Sequence, residues 1–390
     1  MLSLDCAMPF DVAAADKFFD ALPPRPAVVL IQPCADLAGA RPLLLRTADL
    51  RRRMRLLMGP RDPSAKRVHL AAYAGSIRFR ITGSPFEQAL THYQQARTLW
   101  PREYRRRMRL LPPALVKFNQ SGAYPRAYVS RRAGASGLYF GPFATRRAAD
   151  AFLESFLDLF LLRRCQIKIR RDPLFPGCIY SEMKMCLAPC FAGCTAEEYA
   201  AEAGRAAAFL TTGGASLLSA LEHQRESASA NLDFERASSL HRNIEKADAA
   251  RRAIPEIARP IDSLDAAILQ RGAERETVAV FVVRAGRIAD PLLLRFAELA
   301  SQPRSVEEIL RAALEPPSHV PGQTQAPSPS NESPAADLED HLALLTRWFY
   351  ARPRQGELFF DEGRPRGWPY RRMLRACSRL LHPEAPPENH

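Results

Sequence analysis

Hydrophobic residues in the first hundred positions recur in short runs separated by stretches with helical periodicity. PAVVLI and RPLLL are typical of two buried strands, and VHLAAYA and SIRFRIT add further strand-like alternation. TADLRRRMRLLM predicts a helix capped by Thr47 or Asp49. SPFEQALTHYQQARTLW predicts a second helix that ends before Pro101, because Ser84 followed by Glu87 forms a capping-box pattern. Residues 1–105 are therefore predicted to form a small α/β domain.

The pattern changes after residue 105. Residues 124–145 predict a β-hairpin with a Gly-rich turn, and RRAADAFLESFLDLFLL predicts a helix that leads into Cys165. These segments and a helical stretch over 196–210 define a central region, residues 106–212. Helical periodicity over 216–253 predicts an antiparallel helical hairpin, residues 213–254, that turns at Asn231–Asp233.

The last third of the chain contains strand-like and low-complexity segments. Residues 255–316 alternate like strands, with a hairpin turning at Ala285-Gly286. Residues 317–336 are rich in Pro, Ser and Gln, which is typical of a disordered linker. Residues 337–390 predict a helical C-terminal tail. The fold class predicted for the whole chain is α+β with several domains.

Composition and charge narrow the class of partner. The formal net charge of +13 favours a polyanion, although charge alone does not separate DNA from RNA or acidic lipid. The N-terminus lacks a signal-peptide pattern and no apolar run is long enough to cross a bilayer, so we expect a cytoplasmic protein without a membrane partner.

The basic residues are concentrated in one stretch. Between Arg97 and Arg132 there are ten Lys or Arg residues and one acid, Glu103. Tyr104, Phe118, Tyr124 and Tyr128 are interleaved with them and are candidates for stacking on bases. The competing interpretation is a solvated helix face with ordinary core aromatics. The predicted DNA-binding residues are Arg105, Arg106, Arg107, Arg109, Lys117, Arg131 and Arg132.

Five of the eight cysteines lie between Cys165 and Cys194. Four of them, Cys165, Cys178, Cys186 and Cys190, have the spacing C-x12-C-x7-C-x3-C, and four thiolates suit either zinc or an iron–sulfur cluster. The nearby arginines would offset the thiolate charge. The alternative is that these are small buried core residues. The spacing itself does not choose between the two metals.

Two motifs in this order resemble the UvrC family of excision-repair nucleases. The first is YFGPFATRRAADAFLESFLDLFLLRRC…PGCIYSEMKMCLAPCFAGC, and the second, ANLDFERASSLHRNI, is similar to the UVR motif. The resemblance implies a 4Fe-4S cluster on the four cysteines, with zinc as the alternative and Cys194 as a spare thiol. It also implies a UvrB-type partner bound through the hairpin. The implied partner-binding residues are Leu232, Phe234, Glu235, Ala237, Leu240 and Ile244.

The same resemblance implies an N-terminal GIY-YIG nuclease domain, which is degenerate here. Val29, Leu43 and Leu45 stand at the positions of the motif residues, and His92 stands where a metal-binding Glu is expected. Arg51 is the remnant of the catalytic set. Aliphatic side chains cannot activate water, and a neutral imidazole is a poor ligand for Mg²⁺. Magnesium is therefore expected only if nuclease activity remains, with Glu87 as an alternative ligand.

The second nuclease centre of the family is RNase H-like. SLDAAILQRGAERETVAVFVVRAGRI resembles only its beginning or the segment leading into it, and Asp262 and Asp265 are interpreted as turn or cap residues. We therefore expect a divergent and truncated UvrC-like protein that binds DNA and a UvrB-type partner with little or no incision. The alternatives are an active structure-specific endonuclease that uses His92, Arg51 and Glu87, and an iron–sulfur redox or RNA-binding module.

Overall fold

The computed structural model describes residues 2–37, 39–60, 69–134, 136–299, 303–315, 334–361, 363 and 367–382. Three antiparallel sheets with flanking helices make up this part of the chain, which confirms the α+β class. None of its helices combines the length and the apolar character needed to cross a bilayer. The predicted linker falls mainly on residues 316–333, which lie outside the described residues.

The N-terminal sheet has the strand order β1-β4-β2-β3. Its elements are β1 (Cys6–Pro9), α1 (Ala15–Ala21), β2 (Ala27–Pro33), β3 (Leu43–Thr47), α2 (Leu50–Met58), β4 (Ala74–Ile81), α3 (Pro85–Leu99) and α4 (Tyr104–Met108). The apolar run of β2 is buried on both faces, because α1 and α2 cover one face and α3 covers the other. Asp49 caps α2 and Ser84 caps α3, as the sequence predicts.

The prediction of one strand in this domain is wrong. VHLAAYA does not form a strand over its described residues: 71–73 form a turn, and β4 begins only at Ala74. The backbone N–H groups of Tyr73 and Ala74 both donate to the carbonyl of Leu70. Leu70 and Ala71 nevertheless enter the core, so this segment is apolar because the turn is buried.

The middle sheet has the order β6-β5-β7-β8. Its unit contains β5 (Ala114–Asn119), β6 (Arg126–Ser130), β7 (Leu138–Phe143), α5 (Arg146–Leu157), α6 (Ile179–Glu182) and α7 (Ala196–Thr211). The predicted hairpin over 124–145 is wrong, since β6 and β7 each pair with β5 and not with each other. Strand β5 takes the central position because it has apolar residues to bury on both faces.

The helical hairpin forms as predicted. Helices α8 (Ala215–Ala230) and α9 (Phe234–Arg252) are antiparallel, and residues 231–233 form the turn between them. The Asp233 side chain accepts a hydrogen bond from the backbone N–H of Arg236 and so caps α9. The chain then returns to the middle sheet, where β8 (Arg259–Pro260) pairs with β7.

The C-terminal sheet is larger than predicted. Its unit contains β9 (Ala266–Arg271), β10 (Thr277–Arg284), β11 (Arg287–Ile288), β12 (Leu292–Arg295), α10 (Phe296–Leu299), α11 (Val306–Leu314), α12 (Pro334–Phe349), β13 (Glu357–Phe360) and α13 (Tyr370–Leu381). The predicted helical tail contributes β13, which pairs with β9. Helix α12 begins inside the predicted linker and covers one face of the sheet, while α11 and α13 cover the other.

Helix α12 also joins the C-terminal sheet to the N-terminal domain. Phe86 on α3 packs edge-on against Phe281 on β10 at 5.0 Å between ring centroids, and it lies 5.5 Å from Trp348 on α12. Asp340 on α12 is 1% exposed and accepts hydrogen bonds from the hydroxyls of Tyr93 and Tyr104. The two ends of the chain therefore share one core, which short-range sequence patterns do not reveal.

His341, beside Asp340, makes stability depend on pH. Its Nδ1 accepts a hydrogen bond from the Ile288 N–H at 3.0 Å, and burial lowers the pKa of His341 to about 4. Asp337 raises this pKa slightly, while Arg287 and Arg97 lower it. Between pH 6.5 and 4 the unfolded chain therefore takes up a proton that the folded protein excludes.

We expect the free energy of unfolding to fall as pH falls through that window, by up to about 1.4 kcal/mol per pH unit for each such histidine. His341→Gln keeps an acceptor for Ile288 and should flatten the slope, whereas the exposed His241→Gln should not. Urea unfolding at a series of pH values measures this. Equal slopes in the two variants would contradict the assignment.

Candidate functional site

The cysteine segment connects α5 to α7 and is anchored to the middle domain at both ends. Arg163 donates from Nε to the carbonyl of Tyr124 at 2.9 Å and from its guanidinium to the carbonyl of Ile167 at 3.0 Å. Arg171 donates to the carbonyl of Cys194 at 3.0 Å. The arginines that the sequence places beside the thiols therefore also hold the loop in place.

The four spaced thiols lie within electrostatic range of one another. Burial raises the pKa of Cys186 to about 11, an N–H donated by Ala188 lowers it, and Cys165, Cys178 and Cys190 each raise it. All eight cysteines of the chain lie among the described residues, and none forms a disulfide. The segment thus collects four thiols that repel one another when ionised and that a bound cation or cluster would stabilise.

The donor set suits a soft metal, but the side chains do not form a single-ion site. In the described part of the chain, no three His, Cys, Asp or Glu side chains are arranged to hold one metal ion. Thiolates on a cubane cluster sit further apart than thiolates that share one ion, because each binds a different iron atom. Cys194 is different from the other four, since it is buried in the hydrophobic core of the middle domain.

The predicted DNA-binding residues do not form one surface. Arg105 lies 2.8 Å from Asp340 and donates to the carbonyl of Ala336, so it serves the tertiary structure. Arg106 and Arg107 both pair with Glu103. Two of the interleaved aromatic residues, Tyr104 and Phe118, are core residues, which corrects their predicted role as stacking groups. Arg109, Arg131 and Arg132 are exposed.

Lys117 instead belongs to an aromatic row across the middle sheet. It lies directly opposite Tyr128 on β6 and Tyr139 on β7, so all three side chains are on one face. Its ammonium lies 4.9 Å from the centre of the Tyr139 ring, and hydrogen bonding to Tyr139 raises the pKa of Lys117. Arg126 stacks over Tyr128 at 4.7 Å. We call Lys117, Arg126, Tyr128 and Tyr139 the middle-sheet row.

Sequence reasoning missed Tyr139 and Arg126 as members of this row. Tyr139 was part of the family-like run and Arg126 was one of the ten basic residues, but the hairpin predicted for 124–145 paired the wrong strands. The alternation of β5 does indicate that Lys117 lies on the face of the sheet opposite to Val116 and Phe118. This is the one feature of the sequence that could have identified the row. Only the strand order places it between two tyrosines.

The helical hairpin separates the predicted partner-binding residues into two groups. Leu232 and Phe234 are 72% and 67% exposed at the turn, next to exposed Glu235. Leu240 is buried within the hairpin, while Ala237 and Ile244 are partly buried. Leu232 has a left-handed backbone, φ +59°, which is unfavourable for a leucine. The hairpin tip, residues 232–235, is thus an apolar projection, and Leu240 stabilises the helix pair.

The residues that the sequence suggests as a remnant or altered nuclease site, Arg51, His92 and Glu87, do not converge. Arg51 on α2 donates to the carbonyls of Leu22 and Asp20, at 2.6 and 3.0 Å. His92 lies on α3, which covers the opposite face of the sheet. Glu87 accepts from the Gly83 N–H and lies 3.6 Å from Arg80, and burial raises its pKa. Arg51 therefore lies across the sheet from the other two, and the Glu87 carboxylate is engaged with Gly83 and Arg80.

The positions assigned to the motif residues are also filled with hydrophobic packing. Val29 is buried on β2 opposite Leu45 on β3. Phe18 and Phe19 of α1 belong to the same core cluster as Val29 and cover this face. Burial lowers the pKa of His92 to about 4, with Arg46 contributing, so its imidazole is neutral at pH 7.

Comparison with known proteins decides the family of the middle domain. Residues 114–209 match the family described as "UvrC/Cho excinuclease, middle domain". The span holds β5 to β7, α5, the cysteine segment and most of α7. Residues 114–209 therefore form a UvrC-type middle domain. The match includes all four spaced thiols and the middle-sheet row, whereas the helical hairpin lies outside it.

Curated UvrC proteins are similar to this chain over about half its length. UvrABC system protein C of Chlamydia pneumoniae is 30% identical over 199 residues, which is 49% of this chain and 32% of that protein. The proteins of the same name from Methanothermobacter thermautotrophicus and Escherichia fergusonii are 30% and 28% identical over 56% and 65% of this chain. The alignments span about a third to two fifths of these relatives. No solved structure matches the chain.

Proposed function

We propose that this protein is a UvrC-like DNA-binding component of nucleotide excision repair that associates with a UvrB-type protein and has little or no incision activity of its own. The observation that carries the proposal is the UvrC middle domain, residues 114–209. Its sheet presents Lys117 and Arg126 beside the partly exposed Tyr128, an arrangement that suits a sugar-phosphate backbone and a base. Tyr139 is buried and supports Lys117 from below.

The chemistry of the middle domain supports a bound 4Fe-4S cluster held by Cys165, Cys178, Cys186 and Cys190. The family resemblance favours a cluster over zinc, and the four neighbouring thiols can supply one thiolate for each iron. Its role in the proposal is structural: bound to four thiolates, it ties the two ends of the cysteine segment together. Arg163 and Arg171 hold the surrounding backbone.

The hairpin tip supports a protein partner. Leu232 and Phe234 expose large apolar side chains at the end of a helix pair, where their burial against a matching surface would be favourable. The first helix turn of α9 adds Glu235, which gives the tip an acidic rim. A UvrB-type protein is the partner that the family resemblance implies.

Changing the tip should remove partner binding without changing the fold. Leu232→Ser together with Phe234→Ser should weaken binding of a purified UvrB-type protein about 30-fold, the size of a central interface contact. Leu111→Ser, equally exposed at 70%, is the matched control and should bind normally. Calorimetric titration measures both. If the double variant binds as tightly as the unmodified protein, the tip is not the docking site.

The enzyme alternative requires His92, Arg51 and Glu87 to act together. The structure places these residues in separate environments, so the proposal favours binding over incision. An anaerobically purified sample titrated with damaged duplex DNA, with and without Mg²⁺ or Mn²⁺, tests both functions. Binding without nicking is the expected result. Metal-dependent nicking that disappears in Arg51→Ala would support the endonuclease, and binding without preference for lesions would support the RNA-binding or redox alternative.

A further inference from the structure

A cationic cleft lies where the N-terminal domain meets helix α12. The cleft has a volume of about 610 Å³ and lies between the edge strand β3, helix α3 and the end of helix α4. Its polar lining consists of Arg46, Thr47, Gln88, His92, Arg107 and Arg109, and no carboxylate of the described residues lines it. The sequence patterns do not predict this cleft, since its arginines come from separate elements.

A fourth arginine completes the cluster from the other end of the chain. The Arg347 guanidinium on α12 donates to the carbonyl of Arg109 at 2.9 Å. Arg109 has a left-handed φ of +50°, and it directly follows α4 as that helix's C-cap. Arg347 also lies close enough to Arg46 to lower the pKa of Arg46, after the larger effect of burial.

The charge of this cluster is poorly balanced within the protein. Arg107 pairs with Glu103. In the described ranges, Arg46, Arg109 and Arg347 have no ion pair with a carboxylate within 4 Å. Neither His92 nor Gln88 carries a negative charge that could offset the arginines. The side-chain amide of Gln88 donates to the carbonyls of Ala27 and Thr47. Arginines that repel one another around a cleft are stabilised by an anion with several oxygens.

We propose that this cleft binds a phosphate of the DNA backbone and holds it without cleaving it. The inference rests on the DNA-binding function proposed above and assigns that function a second contact, distinct from the middle-sheet row. An arginine guanidinium donates in a planar fork that matches phosphate oxygens. The neutral His92 lies at the wall of the same cleft, where it neither repels a phosphate nor supplies a ligand for Mg²⁺.

The test uses the full chain and a short duplex DNA, with affinity measured between about 50 and 200 mM salt. Each phosphate contact contributes about 0.9 to the slope of log affinity against log salt. Arg46→Gln with Arg109→Gln should therefore reduce the magnitude of the slope by about 0.9, because both arginines are proposed to contact the same phosphate. The control, Arg147→Gln with Arg242→Gln, makes the same change in net charge at exposed positions on α5 and α9 and should leave the slope unchanged.

A second measurement does not depend on the variants folding. Phenylglyoxal modifies accessible arginines, and DNA should protect Arg46 and Arg109 of the unmodified protein from it, while inorganic pyrophosphate at equal phosphate concentration should not. Protection by pyrophosphate alone would show a site for small phosphoanions and would overturn the proposal. If both double variants bind DNA with the same slope of log affinity against log salt, the cleft is not a phosphate site. The DNA-binding function proposed for the protein would not be affected. If the unmodified protein does not bind DNA, both proposals fail.

Discussion

Replacing Asp340 with asparagine should lower the free energy of unfolding by about 1.5–3 kcal/mol, the range for hydrogen bonds to a charged group. Asp340 is 1% exposed, and its carboxylate lies 2.8 Å from the guanidinium of Arg105. It also accepts from the hydroxyls of Tyr104 and Tyr93. An amide at this position removes the closer of the two carboxylates beside Arg105 and leaves Glu339 at 3.8 Å.

The effect should extend over both ends of the chain, because Asp340 lies on α12 and the other three residues lie on α3 and α4. Urea unfolding followed by circular dichroism measures the loss of stability. Asp20→Asn is the matched control: its carboxylate pairs with Arg55 at 2.6 Å, but both side chains are exposed, so the expected loss is about 0–1 kcal/mol. Similar losses in the two variants would show that the Asp340 network contributes little.

Replacing Cys186 with alanine should abolish the cluster that we propose for the middle domain. A [4Fe-4S] cluster takes one thiolate for each iron, so the loss of one of four ligands leaves one iron exposed and the cluster labile. Burial raises the pKa of Cys186, and each of the other three thiols raises it further, so Cys186 lies near all three. Iron, sulfide and zinc analysis of anaerobically purified protein measures the result.

Cys194→Ala is the control for this experiment. Its thiol is buried in the core of the middle domain, where burial raises its pKa, so its removal should cost roughly 1 kcal/mol of stability and leave the metal content unchanged. Iron and sulfide lost equally from both variants would contradict the four-cysteine assignment. If the unmodified protein contains zinc and no iron, the four cysteines bind zinc and not a cluster.

Local features of the fold were predictable from sequence because local interactions determine them. Ser84 caps α3 through the N–H of Glu87, and Asp233 caps α9, each within one helix turn. The strands from Ala266 to Arg295 follow the apolar alternation of the chain. Strand β13 was not predicted, because its four residues lie between Pro- and Arg-rich segments and form a strand only by pairing with β9, about ninety residues earlier.

The candidate site shows the same division. The spacing of the four cysteines is a property of the sequence alone, and so is the apolar character of Leu232 and Phe234. The role of Arg105 cannot be read from the sequence, because three other arginines lie near it in the chain while its ion-pair partner is the distant Asp340. Composition counts charges, but solvent exposure and pairing determine whether a charge can reach DNA.

By itself, the sequence determined the helix caps, the helical hairpin and the spacing of the four cysteines. The tertiary structure decided which arginines are available, which strands are neighbours and whether the residues of the suggested nuclease site meet. It placed Lys117 between two tyrosines, Arg51 and His92 on opposite faces of one sheet, and Arg347 beside Arg109. The reason is physical: caps and periodicity depend on contacts within a few residues, whereas these arrangements depend on burial between segments far apart in the chain.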